Sequence, residues 1–538
     1  MLYYVIDPTL RAARNAVGED YTPAYIPAML AFMGMSGQEI TPDTLPTLQK
    51  EDVVLLGADG FGDLNTCQAT VIKLGVPQPT VPARRRHIYG TYIAKNGYPI
   101  PLFVPVCKAD AALDEVLAYA EVEGTRTPAL IRCGKDYLFL FDLPATLWFS
   151  GDGFMEMQND PYFPIGRTPD WRPLPNGQHG TQPYNDLLLL ELESILRSLG
   201  IASLYRLPPM EDGTAPDIVL HFSGDDDCCS AAINANAAAR MKGIGLPYHI
   251  NAMPDGNGQF CFDLDVLRTL QNDGCELGLH LELTCQPYTK ETVKKQFNEF
   301  FRAFGIHPIT NVNHCLVQNG PHAEFLRWLQ GCGIIADNGY LGTFNPNDIN
   351  AFDLQEFGYG TSFPRYTCDD AAHDNALLTT MAIPVTYYEA RLPREDSDTA
   401  KIKNYLDDAA ANARITQFFF HPHYLNEDNE HCAAALRVLK VIQQHLAESE
   451  YVAFTMTTNT IAQFWQARSQ ATIAQSGSAL IIKTSAPMLV RLPAPTEQVT
   501  LDGQPVSVIC KSVEGGVAYL VAVVAGEHVI ELKTFDVL

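Results

Sequence analysis

The chain has 538 residues, which is too long for a single hydrophobic core and predicts about two to four domains. Hydrophobic residues make up 46% of the sequence and aromatic residues 10%, as is typical of a folded globular protein and not of a disordered one. The formal net charge of -25 excludes nucleic acid and anionic membranes as expected partners, because phosphate binding requires clustered lysine and arginine.

The cysteines and the absence of targeting signals predict a cytoplasmic protein. The 13 cysteines are an odd number without a regular framework, which favours reduced thiols. The sequence shows neither a secretory signal peptide nor an apolar stretch of about twenty residues, the length that a membrane-spanning helix requires. Homo-oligomerisation stays open.

Residues 1–155 alternate apolar strands with amphipathic segments, a rhythm that predicts an α/β domain on a parallel sheet. Strands are predicted over 2–6, 52–56, 129–132 and 137–142, with a helix over 24–33. The next segment, 156–185, contains six prolines and several glycines. Such a composition excludes a helix or a central strand and therefore predicts a linker.

The run from Val53 to Gly57, after a helix and an acidic turn, resembles class I glutamine amidotransferase-like or ThuA-like domains. Active amidotransferases carry a nucleophilic cysteine in a glycine-flanked elbow, and neither Cys67 nor Cys133 has that setting. The resemblance therefore implies a non-catalytic domain, used for assembly, for regulation or for closing a substrate cleft.

The most informative run spans residues 217–227, where an apolar strand ends in Asp225, Asp226 and Asp227. Such a strand concentrates negative charge where α/β folds place their active sites. Like charges this close need a cation or a shared proton. The alternative is a solvated turn that caps the helix predicted over 231–241, but a cap needs only one aspartate.

Four histidines follow this acidic run in comparable positions. A short apolar strand ends at His280, and a second one leads into His421 and His423. His314 lies in a polar cluster after a helix predicted over 290–303. Each histidine alone could be a structural residue, but together they add imidazole groups to carboxylates at strand ends.

Carboxylate and imidazole ligands from separate strands suit one divalent ion of borderline hardness. Zinc, cobalt, nickel, manganese and iron all stay open on this pattern. The residues therefore predict a metal site or a general base.

The order and spacing of these segments resemble the polysaccharide deacetylase family, the NodB homology domain, over roughly residues 185–465. Ser223 to Asp227 is similar to that family's Thr-Phe-Asp-Asp-Gly motif, and Gly274 to His280 to its Gly-His-Glu-Ile-Gly-x-His motif. Phe420 to Pro422 is similar to its Leu-His-Pro motif. The resemblance implies an irregular (β/α) barrel over residues 186–470 and metal-dependent hydrolysis of an amide, with zinc as the first expectation for the ion. In such a reaction a bound cation activates water and polarises the carbonyl, while a nearby carboxylate takes a proton and a histidine protonates the departing amine.

The resemblance also implies roles for the matching residues. Asp225 would be the general base and His421 the general acid, while Asp226 and His280 would bind the metal. A match to the motif shifted by one residue also stays open, in which Asp226 would be the general base and Asp227 the metal ligand.

The chain departs from the family four residues after His280, where Thr284 replaces a ligand histidine. His314 lies where the family's arginine-containing third motif would fall and is the expected third ligand. Asp227 and His423 are the expected substrate contacts.

Two other functions stay open for the barrel. A glycoside hydrolase without a metal would pair Asp225 with Glu282 or Glu389. A catalytically inactive carbohydrate-binding module is the other reading, which Thr284 in place of a histidine favours. Metal content distinguishes both from the hydrolase.

Beyond about residue 470 the sequence changes to short β-rich runs, with Asp502-Gly503 and Gly515-Gly516 as hairpin turns. They predict a small β-sandwich over residues 471–538, used as a lid or a subunit contact. The whole chain is thus expected to be a cytoplasmic carbohydrate deacetylase with three domains, acting on a small or imported saccharide.

Overall fold

The structure, a computed structural model, describes residues 1–59, 64–77, 86–108, 115–154, 166, 182–341, 357, 359–388, 396–496 and 498–533. Most of the predicted linker over 156–185 lies outside these residues, as does Glu389. Within the described ranges, no helix is both long enough and apolar enough to cross a membrane.

The N-terminal part of the chain is built on one nine-stranded sheet. Its strands are β1 (Leu2–Val5), β2 (Gln38–Ile40), β3 (Val53–Leu56), β4 (Thr70–Lys73), β5 (Gly90–Ile93), β6 (Pro99–Leu102), β7 (Glu115–Val122), β8 (Thr125–Cys133) and β9 (Asp136–Phe139). Its helices are α1 (Pro8–Asn15), α2 (Ile26–Met33) and α3 (Leu143–Asp152). The strand order is β2-β1-β3-β4-β9-β8-β7-β5-β6, and the first five strands in this order are parallel.

The prediction of a parallel sheet is wrong for the other half of this domain. From β9 onward the neighbouring strands are antiparallel. Between β7 and β8, Glu123 and Gly124 adopt φ of 49° and 73°, and positive φ at both positions is what a two-residue type I′ hairpin turn requires. Glu-Gly is not one of the dipeptides that mark such turns in a sequence, which is why the hairpin escapes prediction.

The central part of the chain alternates strands and helices. Its strands are β10 (Ser203–Leu204), β11 (Ile218–Asp225), β12 (Tyr248–Ala252), β13 (Cys275–Leu281), β14 (Thr310–Asn313), β15 (Ala336–Leu341), β16 (Met381–Val385), β17 (Tyr387–Tyr388), β18 (Ile415–Phe419) and β19 (Ala453–Met456). Its helices are α4 (Tyr184–Ser198), α5 (Ala231–Gly243), α6 (Leu264–Asn272), α7 (Lys290–Phe304), α8 (His322–Gly331), α9 (Asp396–Ala411), α10 (Cys432–Glu448) and α11 (Thr458–Gln470). The predicted helix over 290–303 is confirmed as α7. Thr289 is its N-cap, and the helix ends at Gly305, which adopts the left-handed conformation.

The central strands other than β10 form a parallel sheet in the order β16-β15-β14-β13-β12-β11-β18-β17, with β19 also paired to β11. β16 and β17 stand at opposite ends of this order, yet Thr386 alone separates them along the chain. The Gln417 N–H donates to the Thr386 hydroxyl at 2.9 Å, which links this segment to β18. The sheet therefore curves until its two ends meet at one stretch of chain, and we call this assembly the barrel.

The C-terminal part of the chain contains β20 (Thr472–Ser476), β21 (Ala479–Thr484), β22 (Met488–Arg491), β23 (Gln498–Leu501), β24 (Gln504–Val506), β25 (Ile509–Val513), β26 (Gly516–Val523) and β27 (Gly526–Lys533). The predicted hairpins are confirmed, because β23 pairs with β24 and β25 with β26, each pair antiparallel. The strands form two sheets, β10-β22-β26-β25 and β20-β21-β27-β23-β24. The first sheet takes β10 from the segment before the barrel, which the sequence analysis did not predict.

One hydrophobic core joins the N-terminal sheet, α4, α11 and the C-terminal sheets, and a second packs the barrel strands against helices that surround them, among them α5, α6, α7 and α10. Arg468 of α11 is buried at this junction. Its guanidinium donates to the carbonyls of Ala31 and Phe32 in the N-terminal part and of Leu204 and Tyr205 before the barrel, at 2.8–3.1 Å. Arg468 therefore links the N-terminal part of the chain to the segment before the barrel.

Candidate metal centre

Four strand ends meet at the carboxyl rim of the barrel. β11 ends at Asp225, β13 carries His280, His314 directly follows β14, and His421 lies just beyond β18. These strands lie within one run of five, β14-β13-β12-β11-β18, in which each strand pairs with the next. Parallel pairing thus gathers side chains that are up to about two hundred residues apart in sequence.

The acidic run does not cap the helix that follows it. Ser230 is the N-cap of α5 and its hydroxyl accepts from the Ile233 N–H at 3.4 Å. Asp227 and Cys228 both adopt positive φ, 43° and 57°, a conformation that is uncommon for residues other than glycine. Such backbone conformations concentrate at functional sites. Here the chain leaves the direction of β11 at Asp227.

Asp227, His280 and His314 converge, with one potential ligand atom of each within 4.8 Å of the others. Asp227 Oδ1 lies 3.2 Å from His280 Nε2 and 3.8 Å from His314 Nε2. A carboxylate oxygen and two imidazole nitrogens are a donor set that borderline divalent cations such as zinc accept. The residues present therefore fit a metal ion.

Both histidines turn Nε2 inward because Nδ1 has another partner. His280 Nδ1 donates to the Val312 carbonyl at 3.1 Å, and His314 Nδ1 donates to Glu282 Oε2 at 2.8 Å. Metal-binding histidines almost always show this arrangement, in which the second nitrogen donates to a carbonyl or a carboxylate. Nε2 of each ring is then the atom available to a cation.

The electrostatics of these three residues show strong mutual attraction. Burial raises the pKa of the Asp227 carboxyl, but the hydrogen bond from His280 and the charges of His421, His280 and His314 outweigh burial and hold the pKa below its usual range. Burial lowers the pKa of His314, but its hydrogen bonds with Cys315 and Glu282 outweigh burial and raise the pKa to about 11. The centre therefore favours positive charge on its imidazoles, and a cation can replace that charge.

Asp226, an expected metal ligand, points elsewhere. Its side chain is fully buried, and Oδ1 accepts from the N–H groups of Met253 at 2.9 Å and Cys228 at 3.3 Å. Oδ2 is buried without a hydrogen-bond partner among the described residues, and burial raises the pKa of this carboxyl to about 7. The sequence leaves two registers open, with either Asp226 or Asp227 as the metal ligand. Asp227 is the carboxylate that lies with the two histidines.

Asp225, the expected general base, lies beside His280. Its Oδ1 accepts from Asn251 Nδ2 at 2.9 Å, and its Oδ2 lies 3.5 Å from His280 Nδ1. Burial raises the pKa of the Asp225 carboxyl, which makes it a stronger base than an exposed aspartate. Asn251 was missed from the sequence, although its place at the end of a short apolar strand, β12, matches that of His280.

His421, the expected general acid, reaches the same site, with its Nε2 3.5 Å from Asp227 Oδ2. It is largely buried and its ring packs edge-on against Phe419, with 5.3 Å between the ring centroids. The ring of His423, an expected substrate contact, is centred 5.4 Å from that of His421 and 4.1 Å from that of Tyr424. His423 therefore lies beside His421 and is more exposed to solvent.

Thr284 and Glu282 have partners that differ from the expected ones. The Thr284 N–H and hydroxyl both donate to Glu282 Oε1. Burial raises the pKa of Glu282, but the hydrogen bonds from His314, Thr284 and Cys285 outweigh burial and lower the pKa to about 2. Both Glu282 oxygens have partners, Oε1 in Thr284 and Cys285 and Oε2 in His314, which disfavours a direct role of Glu282 beside Asp225 in glycoside hydrolysis.

A second group of potential ligands, Asp369, Asp370 and His373, lies in a partly exposed turn. Arg327 Nη1 donates to both oxygens of Asp369 at 2.6 Å. His373 Nδ1 donates to Asp370 at 2.8 Å. The ion pair between Arg327 and Asp369 and the hydrogen bond between His373 and Asp370 explain this group without a metal.

No protein-family model matches the sequence, and no curated protein matches it. Similar solved structures include a candidate polysaccharide deacetylase from Mycobacterium smegmatis, at 13% identity, with 51% of this chain and 98% of that chain covered and a TM-score of 0.33. A family 4 acetyl xylan esterase from Clostridium thermocellum with a cobalt ion is also similar, at 10% identity, with 46% of this chain and 91% of that chain covered and a TM-score of 0.26. A 4-alpha-glucanotransferase from Thermococcus litoralis matches at 13% identity, with 46% of this chain and 40% of that chain covered and a TM-score of 0.30. At such identities and TM-scores, the function has to be inferred from the residues of the site.

Proposed function

We propose that the chain is a metal-dependent hydrolase that removes the acetyl group from an N-acetylated saccharide. The observation that carries the proposal is the convergence of Asp227, His280 and His314, whose ligand atoms lie within 4.8 Å of one another. Asp225 and His421, two groups suited to proton transfer, lie directly beside this centre. The saccharide as substrate class rests on the motif resemblance to polysaccharide deacetylases.

Asp227, His280 and His314 would hold one divalent ion, with zinc expected first and cobalt, nickel, manganese or iron as alternatives. When bound, such an ion lowers the pKa of its water and polarises a carbonyl oxygen. The chain itself supplies the orientation of the ligands, through the Val312 carbonyl behind His280 and Glu282 behind His314.

Proton transfer would fall to Asp225 and His421. Asn251 fixes the Asp225 carboxylate, whose raised pKa suits it to accept a proton from water. His421 lies beyond Asp227, on a different strand end, and could protonate the departing amine. The two groups come from adjacent strands, so a substrate amide bound between them would meet a base and an acid.

Elemental analysis of protein purified without added metal tests the proposal. We expect about one divalent ion per chain, with occupancy strongly reduced in Asp227→Asn and in His280→Ala. The Asp226→Asn variant discriminates between the two registers, because Asp226 lies outside the convergent group and its loss should leave more metal than the loss of Asp227. The matched control is Asp370→Asn in the second group.

Two outcomes would overturn the proposal. Metal-free wild-type protein that gains no ion on dialysis against zinc or cobalt would remove the centre and favour the inactive carbohydrate-binding module. Full metal occupancy in both Asp227→Asn and His280→Ala would place the ion elsewhere.

A further inference from the structure

Glu282 is the best anchored carboxylate near the candidate centre. It follows β13, and its Oε1 accepts from the N–H groups of Thr284 at 2.6 Å and Cys285 at 2.9 Å and from the Thr284 hydroxyl. Its backbone is held as well, because Gln296 of α7 accepts from the Glu282 N–H and donates to the Glu282 carbonyl, each at 2.8 Å. With Oε1 fully occupied, Oε2 is the oxygen left for His314.

We propose that Glu282 is the positioning residue that makes His314 a metal ligand, and that Thr284 belongs to the support of Glu282. The inference rests on the proposed metal centre and deepens it. His314, from the neighbouring strand end, would thus replace the ligand histidine that is missing at position 284. Thr284 would instead hold Glu282, the partner of His314.

The two ligand histidines differ in what orients them. His280 is fully buried and its Nδ1 donates to a backbone carbonyl, a partner that no substitution removes. His314 is 24% exposed, and its Nδ1 donates to a side chain. The residue after it, Cys315, adopts a φ of 53°, so the backbone turns away immediately beyond His314. The His314 ring also has a hydrogen bond with Cys315, and Glu282 is the carboxylate that accepts from Nδ1 and so sets which ring nitrogen faces the centre.

Glu282 also contributes charge to the centre. A carboxylate that accepts from Nδ1 raises the basicity of the imidazole and fixes the tautomer in which Nε2 is unprotonated. Asp227 would be the only carboxylate among the three proposed ligands. Glu282 would supply a second negative charge through its hydrogen bond to His314, without binding the ion itself. Loss of such a partner typically weakens metal binding by about ten to a hundredfold.

Competition with a chromophoric chelator, using zinc and cobalt, measures the effect without any activity assay. We expect Glu282→Gln to raise the metal dissociation constant by about ten to a hundredfold, and Thr284→Val to raise it by a smaller factor. Glu276→Gln is the matched control, since Glu276 lies on the same strand and faces His249 at 3.9 Å, away from the centre. Cobalt-loaded Glu282→Gln should also show a shifted visible absorption band.

A double-mutant cycle separates positioning from a general structural role. His314→Ala and the double variant His314→Ala with Glu282→Gln should bind metal equally weakly, because Glu282 acts through His314. Additive losses would overturn the inference, as would an unchanged dissociation constant in Glu282→Gln. Wild-type protein that binds no metal would overturn the proposed centre itself, and melting of the metal-free variants checks that each one folds.

Discussion

Asp225 and His421 border the candidate centre without belonging to its three convergent ligands. If they transfer protons, Asp225→Asn and His421→Ala should each lower turnover of an N-acetylated saccharide by about two to four orders of magnitude. Metal content should stay unchanged, because neither side chain is a proposed ligand. Turnover and metal stoichiometry measured on the same preparations check the prediction, and near wild-type turnover in either variant removes that residue from the mechanism.

Asp337 is a buried carboxyl of β15, outside the three proposed ligands. Burial raises its pKa to about 7, although a hydrogen bond from Asn311 at 2.9 Å lowers it. Its folded pKa exceeds its unfolded value, so the group stabilises the folded state when protonated and loses that contribution as the pH rises from about 4 to about 7.

We therefore expect Asp337→Asn to be more stable than wild type at pH 8, by about 1–3 kcal/mol, with the difference shrinking toward pH 4. The Asn311 amide retains an acceptor in this variant, because the new side chain also carries an oxygen. Urea unfolding of both proteins across this pH range measures the effect. A stability difference that is independent of pH would contradict the assignment of the raised pKa.

The end of β11 depends on a glycine. A Cβ at Gly224 would lie 1.7 Å from the Phe420 carbonyl oxygen and 2.5 Å from the Tyr248 hydroxyl, so β18 would have to move. We expect Gly224→Ala to lose about 1–3 kcal/mol of folding free energy and to displace His421. Gly243→Ala is the control, since a Cβ added there would meet no atom within 4 Å apart from its chain neighbours and its own helix backbone. Denaturant unfolding measures both, and equal stabilities would contradict a steric role for Gly224.

The elements that carry chemistry were the most predictable ones. β11, β13 and β18 are short apolar strands with an aspartate or a histidine at or near their carboxyl ends, so both their type and these polar residues could be predicted from the sequence. The antiparallel strands β5 to β8 were harder, because the turn at Glu123-Gly124 has no diagnostic dipeptide.

Within the site, sequence identified the histidines but not the geometry among them. The left-handed turn at Asp227 cannot be read from three consecutive aspartates, so the choice between Asp226 and Asp227 needed coordinates. From the sequence, Glu282 is a candidate only in the alternative glycosidase reading, as one of two possible partners of Asp225. Its contact with His314 joins two strand ends that only the folded sheet makes neighbours.

Arg468 joins the N-terminal sheet to the segment that precedes the barrel. Replacement by methionine would remove the guanidinium donors of four carbonyls at this junction, and we expect a loss of about 3 kcal/mol or more. Lysine should not rescue this variant, because one ammonium cannot reproduce the guanidinium fork. Arg268→Met is the surface control, since Arg268 is 71% exposed. Denaturant unfolding measures the losses, and equal losses in both variants would contradict the role of Arg468 at the junction.

The closure of the barrel through Thr386 sets the order in which the chain can fold. Ser223 of β11 and Gln417 of β18 form a hydrogen bond across 194 residues, so this contact cannot form until the chain is largely complete. Closing so long a loop carries an entropic cost that local contacts do not, and parallel pairing at this separation is slow. Newly made chains would therefore expose unpaired edges of β11 and β18 for an extended time, and slower synthesis at low temperature should raise the soluble yield.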